Sequence, residues 1–236
     1  MAANDTSAIG AFFGGKWPLY LRAIQSDVLC HAEMFTVLDR FLMTRFDGRP
    51  FRFVDFGCGD ASAVLKTLLG KNVTHYTGVD ASSDLLAAAA GMLAPLKCQK
   101  TLICNNMSIA VEDLSGPADV FLCSYSLHHL VREQKAKFIE TSFRKLHSPG
   151  YFILIDGVAR QDETREQWLE RLERRFFEKV PDFTAEDVAQ LMVHPREFDY
   201  PETVETFRRM AQQGPWKSFD VLMERDEFLA FMVFSK

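Results

Sequence analysis

Two stretches of the chain combine acidic, imidazole and glycine residues in patterns suited to binding or catalysis. The first is Asp55-x-Gly57-x-Gly59, followed about 20 residues on by a second aspartate, Asp80. Glycine lacks a Cβ, so the pair would let the backbone turn sharply and let a ligand approach it closely. A carboxylate at a strand end can accept hydrogen bonds from a ribose, and Asp80 has a structural alternative as the N-cap of a helix starting near Ser83. Asp55, ahead of the glycines, would repel a pyrophosphate but suits a ligand that carries an ammonium or a sulfonium. The second stretch runs from Ser124 and Tyr125 to the adjacent histidines His128 and His129, with Asp156 further on. An imidazole titrates near neutral pH and can take a proton from a hydroxyl or an amine. Adjacent residues on a turn point in different directions, so His129 is read as the acid/base or orienting residue. His128 is read as a packing or capping residue, with contact to an acceptor as its other role.

The elements around these residues follow from periodicity. An apolar run over 53–56, the glycine pair and a helically spaced Ala/Val/Leu pattern read as strand, tight turn and helix. A β-rich run over 73–79 ends at Asp80, an alanine-rich helix over 83–96 is stopped by Pro95, and 99–104 is a short buried strand. Residues 119–123 form another strand, whose exit loop holds the histidine pair. A helix over 131–146 stops at Ser148-Pro149-Gly150, and an unbroken apolar strand over 151–155 ends at Asp156. Strands alternating with helices mean a mostly parallel sheet covered on both faces, an α/β fold. Beyond it, 162–180 is an amphipathic helix, a second helix starts at Thr184 and ends at Pro195, and a third runs from Tyr200 to Gln213. Residues 216–225 and 227–234 read as a hairpin around Asp226. Before the first strand, 20–46 has helical spacing of apolar residues.

Taken together, Asp55-x-Gly57-x-Gly59-x-Ala61, the Leu127-His128-His129-Leu130 segment after the fourth strand and the Ser148-Pro149-Gly150 approach to the fifth resemble class I S-adenosylmethionine-dependent methyltransferases of the small-molecule type. Ala61 stands where that family has a third glycine. The resemblance implies a doubly wound, Rossmann-like sheet of seven strands with an antiparallel last strand. It divides the chain into an N-terminal helical cap (1–50), a donor-binding core (51–156), a helical cap insertion (157–214) and a closing hairpin (215–236). Its donor, S-adenosylmethionine, would meet Asp55, Gly57, Cys58, Gly59, Asp80, Ala81, Ser124 and Tyr125. Asn106 and Met107 would meet the adenine, the asparagine carbonyl accepting from its amino group. Tyr20 and His31 would belong to a lid. His128, Asp156, His194, Phe198 and Tyr200 would face the acceptor, and His129 would serve as base where the acceptor is a hydroxyl.

Composition narrows the alternatives. A net charge of −5 without a Lys/Arg block argues against a polyanionic partner and for an enclosed small molecule over RNA. A protein acceptor, a noncatalytic donor-binding protein and a nicotinamide-dependent oxidoreductase are the rival readings, and Asp55 with its glycine spacing disfavours the last. Five cysteines without a C-x-x-C pair, Cys30, Cys58, Cys98, Cys104 and Cys123, read as reduced core thiols. No metal-ligand cluster stands out. Without a secretory signal or an 18-residue apolar run, the chain is expected in the cytoplasm.

Overall fold

A computed structural model of the chain describes Leu19, Arg22, Ala23 and residues 25–236. Strands β1 (Phe51–Phe56), β2 (Val73–Asp80), β3 (Gln99–Cys104), β4 (Ala118–Ser124), β5 (Leu146–Ala159), β7 (Ser218–Arg225) and β8 (Leu229–Ser235) form one sheet in the order β3-β2-β1-β4-β5-β8-β7. The first five are mutually parallel, and β8 runs antiparallel to both neighbours. This is the expected seven-stranded sheet with its closing hairpin.

Alternation along the strands sends side chains into a core on each face. Phe53, Leu122 and Ile153 pack with the helices His31–Phe46, Arg165–Lys179 and Ala185–Phe198. Phe56, Phe121 and Phe152 pack on the other face with Arg132–Lys145 and Val204–Gln213. Each buried phenylalanine contributes about 1.5–3 kcal/mol relative to exposure, so the central strands fix the register. That register aligns the strand ends that matter: Phe56 lies beside Val79 and Cys123, and Ser124 beside Ile155. The chain order reverses between β1 and β4, which opens a crevice beyond their carboxyl ends, where open α/β sheets bind ligands.

Four local expectations change. Strand β3, expected to be buried, is an edge strand, exposed at Gln99, Lys100, Thr101 and Cys104 and half-buried at Leu102 and Ile103. Asp156 lies inside β5, which continues to Ala159 and pairs with a two-residue strand, β6 (Glu202–Thr203), so the third of the later helices starts at Val204. Pro195 does not end its helix, which extends to Phe198. A proline forfeits its own N–H bond and crowds the carbonyl four residues back. Here Arg165 holds the last turn, donating to the carbonyls of Pro195, Arg196 and Asp199. Asp80 is not the cap of the helix Ser83–Met92, since the Ser82 hydroxyl accepts from Leu85 N–H. Among the described residues no helix is long and apolar enough to cross a membrane. The five cysteines are unbridged; Cys123 is buried, but Cys104 is exposed and not a core thiol.

Candidate functional site

At the end of β1 the chain turns on Gly57 (φ 71°) and Gly59 (φ 54°), a left-handed region in which a side chain is strained. Gly57 and Cys58 N–H groups both donate to the Val79 carbonyl, at 2.8 and 3.1 Å, which ties the turn to β2. A Cβ at position 57 would come within 2.5 Å of Ser126, whose hydroxyl donates to the Phe56 carbonyl. A Cβ at position 59 would meet no atom of the described residues within 4 Å. Ala61 is itself left-handed (φ 60°), so it supplies the conformation the third glycine would have had, at a cost of about 1–2 kcal/mol.

Asp80 braces this turn from β2. Its Oδ2 accepts from Gly59 N–H at 2.9 Å and its Oδ1 from Ser82 N–H at 2.8 Å. Burial pushes its pKa up while these bonds pull it down. Each carboxylate oxygen keeps a second lone pair. Asp55 is 2% exposed, and its Oδ2 accepts from the Tyr76 hydroxyl at 3.0 Å. Its Oδ1 is buried and has no hydrogen-bond partner among the described residues, and burial raises the pKa to about 7. An unsatisfied buried carboxylate oxygen costs free energy until a donor reaches it. That orphaned acceptor, the open space over Gly59 and the Asp80 lone pairs fit a ligand with an ammonium at one end and ribose hydroxyls in the middle, which is the shape of S-adenosylmethionine. Asn106 caps the helix Met107–Asp113, its Oδ1 accepting from Ser108 N–H at 2.8 Å.

A cavity of about 720 Å³ opens between these residues and the N-terminal helix. Asp55, Gly57, Cys58, Gly59, Asp80, Ala81, Asn106, Met107, Ser124 and Tyr125 all line it, as do His31 and His129. Tyr20 lies outside the described residues. Tyr125 links the two walls: its N–H donates to the Ile155 carbonyl and its hydroxyl to the Leu29 carbonyl, both at 2.7 Å, and its ring lies 4.2 Å from His31. Burial lowers His31 to about 4, so its imidazole is neutral, and its buried Nδ1 has no partner among the described residues.

The remaining acceptor-side candidates do not line the cavity: half-buried His128 and buried Asp156 and His194 cluster beside His129, with the half-buried Phe198 ring 5.0 Å from that of His194 and Tyr200 next to Asp199. Asp156 accepts from the backbone N–H of His128 at 2.9 Å and from its Nδ1 at 2.5 Å. The Asp156 and Asp199 carboxylates outweigh desolvation and raise His128 to about 9, so it is charged at neutral pH. His129 Nδ1 lies 3.1 Å from Asp199 Oδ1, and burial together with the charge on His128 lowers its pKa. The His194 ring sits 4.8 Å from that of His129, with its pKa lowered to about 3 by burial. Tyr200 contributes its backbone, its N–H donating to the His128 carbonyl at 2.7 Å.

Asp199, Tyr76, Ser126 and Lys135 were not singled out from the sequence. Tyr76 sits where β2 alternation buries it, but nothing local marks the other three. Ligand-capable atoms of His128, His129 and Asp199 lie within 4.8 Å of one another, a grouping that sequence spacing could not reveal.

Known proteins match this architecture and its parts. A family described as "Methyltransferase domain" matches residues 30–200, which cover the donor turn, the histidine loop and Asp199. A protein of Geobacillus thermodenitrificans described as an uncharacterized methyltransferase is 26% identical over 152 residues, 64% of this chain and 68% of its own. The magnesium protoporphyrin IX methyltransferase ChlM of Synechocystis PCC 6803 with bound SAH superposes with a TM-score of 0.68 at 14% identity, over 98% of this chain and 100% of its own. The plantazolicin methyltransferase BamL, in complex with a triazolic desmethylPZN analog and SAH, gives 0.67 at 15% identity, over 96% and 93%. A match spanning most of the chain, laid over a sheet of this order and a glycine turn braced by Asp80, places the protein in the methyltransferase-domain family.

Proposed function

We propose that this protein transfers a methyl group from S-adenosylmethionine to a small-molecule acceptor held in the cavity between the glycine turn and the N-terminal helix. One observation carries the reading: the buried Oδ1 of Asp55, unpartnered among the described residues, and the Asp80-braced glycine turn face the same cavity as His129. Bound there, S-adenosylmethionine supplies a methyl group on a sulfonium sulfur, open to displacement by an acceptor atom.

The chain's own residues have five tasks. Asp55 receives the ammonium of the donor, and Asp80 receives the ribose hydroxyls. Asn106 and Met107 flank the adenine. His31 and Tyr125, in tilted ring contact and joined to the 27–30 turn, exclude water, which strengthens every polar contact inside. His129 takes the proton of a hydroxyl acceptor. Most of the acceleration in such a site comes from alignment of the two reactants, which can be worth about 7–11 kcal/mol.

A small acceptor is supported by the concave, partly open cavity, by the net charge of −5, and by the porphyrin and the desmethylPZN analog named with ChlM and BamL. The unbridged cysteines support a reducing, cytoplasmic setting. The test is calorimetric titration with S-adenosylmethionine, S-adenosylhomocysteine and NADH. Micromolar binding of the first two and none of the third is expected, followed by label transfer from methyl-labelled donor to members of a hydroxyl-acceptor panel. NADH binding alone would overturn the reading.

A further inference from the structure

A histidine acts as a base only when one ring nitrogen carries the proton and the other is bare, and the hydrogen bond made at the first decides which. This inference rests on the assignment of His129 as base. The partner at Nδ1 comes from a distant part of the chain: Asp199 lies 70 residues on, just past the helix Ala185–Phe198, and is 4% exposed. Its Oδ1 stands 3.1 Å from His129 Nδ1 and 3.6 Å from His128 Nε2. We propose that Asp199 is a positioning residue of the methyl transfer: its carboxylate fixes the His129 proton on Nδ1, leaves Nε2 as the basic nitrogen, and stabilises the imidazolium that forms there.

Asp199 is held in place from several directions. Arg165 Nε donates to its carbonyl at 2.6 Å, and Tyr200 N–H, one residue on, donates to the His128 carbonyl at 2.7 Å. The Lys135 ammonium joins the carbonyls of Leu130 and Tyr200, which spans the histidine loop and the segment after Asp199. A buried carboxylate needs a cation or several hydrogen bonds. Here the charged His128, itself fixed by Asp156 at both its N–H and its Nδ1, provides the positive neighbour. His128 therefore serves the site without lining the cavity. The proton balance is simple: the acceptor's X–H pair becomes the new bond to carbon, its proton passes to Nε2, and the carbon–sulfur pair returns to sulfur. After product leaves, the proton goes to solvent.

Long-range proton–nitrogen NMR of the full-length protein, labelled with nitrogen-15 in its histidine rings, reads the tautomer directly. The expected wild-type signature is a protonated Nδ1 and a bare Nε2 on His129. Asp199→Ala should move the proton to Nε2 and lower the proton affinity of the ring about tenfold, and Asp199→Glu should restore the wild-type signature at least in part. Asp199→Asn keeps the volume and serves if the alanine variant fails to fold. The other groups facing His129, namely His128, Asp156, His194 and Asp80, are unchanged in each variant. S-Adenosylhomocysteine affinity, measured on the same samples, separates the two ideas: no binding by the wild type sinks the donor reading. An unchanged His129 tautomer in a variant that still binds overturns the role of Asp199. One tightly held transition-metal ion per chain in the purified protein, lost in Asp199→Ala, would overturn it as well, because a metal would occupy Nδ1.

Discussion

The two walls of the cavity are built in opposite ways. The donor wall comes from contiguous pieces: residues 55–61 make the turn, and Asp80, at the end of the neighbouring strand, braces it. Backbone groups do most of that work, so the wall is stiff and tolerates little change at the positions where φ is positive. The other wall, the acceptor wall, presents only His129 to the cavity, and the support behind it is assembled from distant parts, with His129 and Asp199 separated by 70 residues and His128 and Asp156 by 28. Side-chain charge does most of the work there, and pH should govern it. A backbone-built wall fails through sterics, and a charge-built wall fails through protonation.

Gly57→Val should give the largest effect on the donor wall. The added side chain would strain a left-handed residue, costing about 1–3 kcal/mol, and crowd Ser126 at 2.5 Å, costing about 1–3 kcal/mol more. Urea denaturation should register that loss, with S-adenosylhomocysteine binding abolished. Wild-type affinity in this variant would break the comparison. Gly59→Ala sharpens it, because its Cβ meets no atom of the described residues within 4 Å. Stability should fall by about 1–2 kcal/mol from backbone strain alone, while donor affinity drops more than tenfold because the methyl occupies the donor's space. Next comes Asp80→Ala, which removes the acceptor for Gly59 and Ser82 N–H groups and for the ribose. Charge-assisted bonds of about 1.5–3 kcal/mol each set the expected weakening of donor binding at roughly 10–100-fold, and unchanged calorimetric affinity in a folded variant would remove Asp80 from the site.

The same contrast explains what was legible in the sequence. Asp55, the glycines and Asp80 could be read because a strand–turn–helix unit places them by local geometry, and alternating periodicity fixed the sheet and its hairpin. Ala61 resisted that logic: an alanine at φ 60° is an exception that neighbouring packing sustains. His128 and His129 were legible as a pair, but their division of labour depends on which carboxylate each one meets. Asp156 was expected at a strand end, and β5 instead carries it three residues deeper than its last residue, Ala159. Asp199 carried no local signal, since its partner is set by how the later helices dock and by the arginine that holds the turn around Pro195.

On the acceptor wall, pH is the probe. His128 has its pKa raised to about 9, from about 6.5 in the unfolded chain. A raised pKa means that its contribution is complete below about pH 6.5 and is lost as pH rises through 9. Asp55, raised to about 7, adds to that loss near pH 7 and fades by pH 8, where Lys135, lowered to about 8, acts oppositely. Between pH 7 and 8 the wild type should therefore lose stability with a slope of up to about 1.4 kcal/mol per unit. His128→Gln should flatten that slope. It should leave the acid limb intact, where His31 and His194, held neutral by burial to about 4 and about 3, lose their contributions as pH falls below 6.5. Equal slopes in the two proteins would show that the acceptor wall is not held by the charge on His128.

The smallest expected effect lies where the walls meet. Tyr125 sits in the donor wall with φ 52°, yet its hydroxyl reaches the Leu29 carbonyl of the turn that precedes the helix His31–Phe46. Arg175, from the helix Arg165–Lys179, also grips this turn, donating to the Val28 carbonyl at 2.7 Å and to Asp226 at 2.7 Å. Removing one neutral hydrogen bond from a doubly held turn costs about 0.5–1.5 kcal/mol, and the Arg175 bonds should keep the turn in place. Tyr125→Phe should thus leave global stability nearly unchanged and speed amide hydrogen exchange only in residues 26–34. Donor affinity should fall no more than about tenfold, because the ring stays beside His31 and only the tether is lost. Exchange that quickens across the whole sheet would mean that the two walls share one cooperative unit, and that the division between a steric wall and a charged wall does not extend to how they unfold.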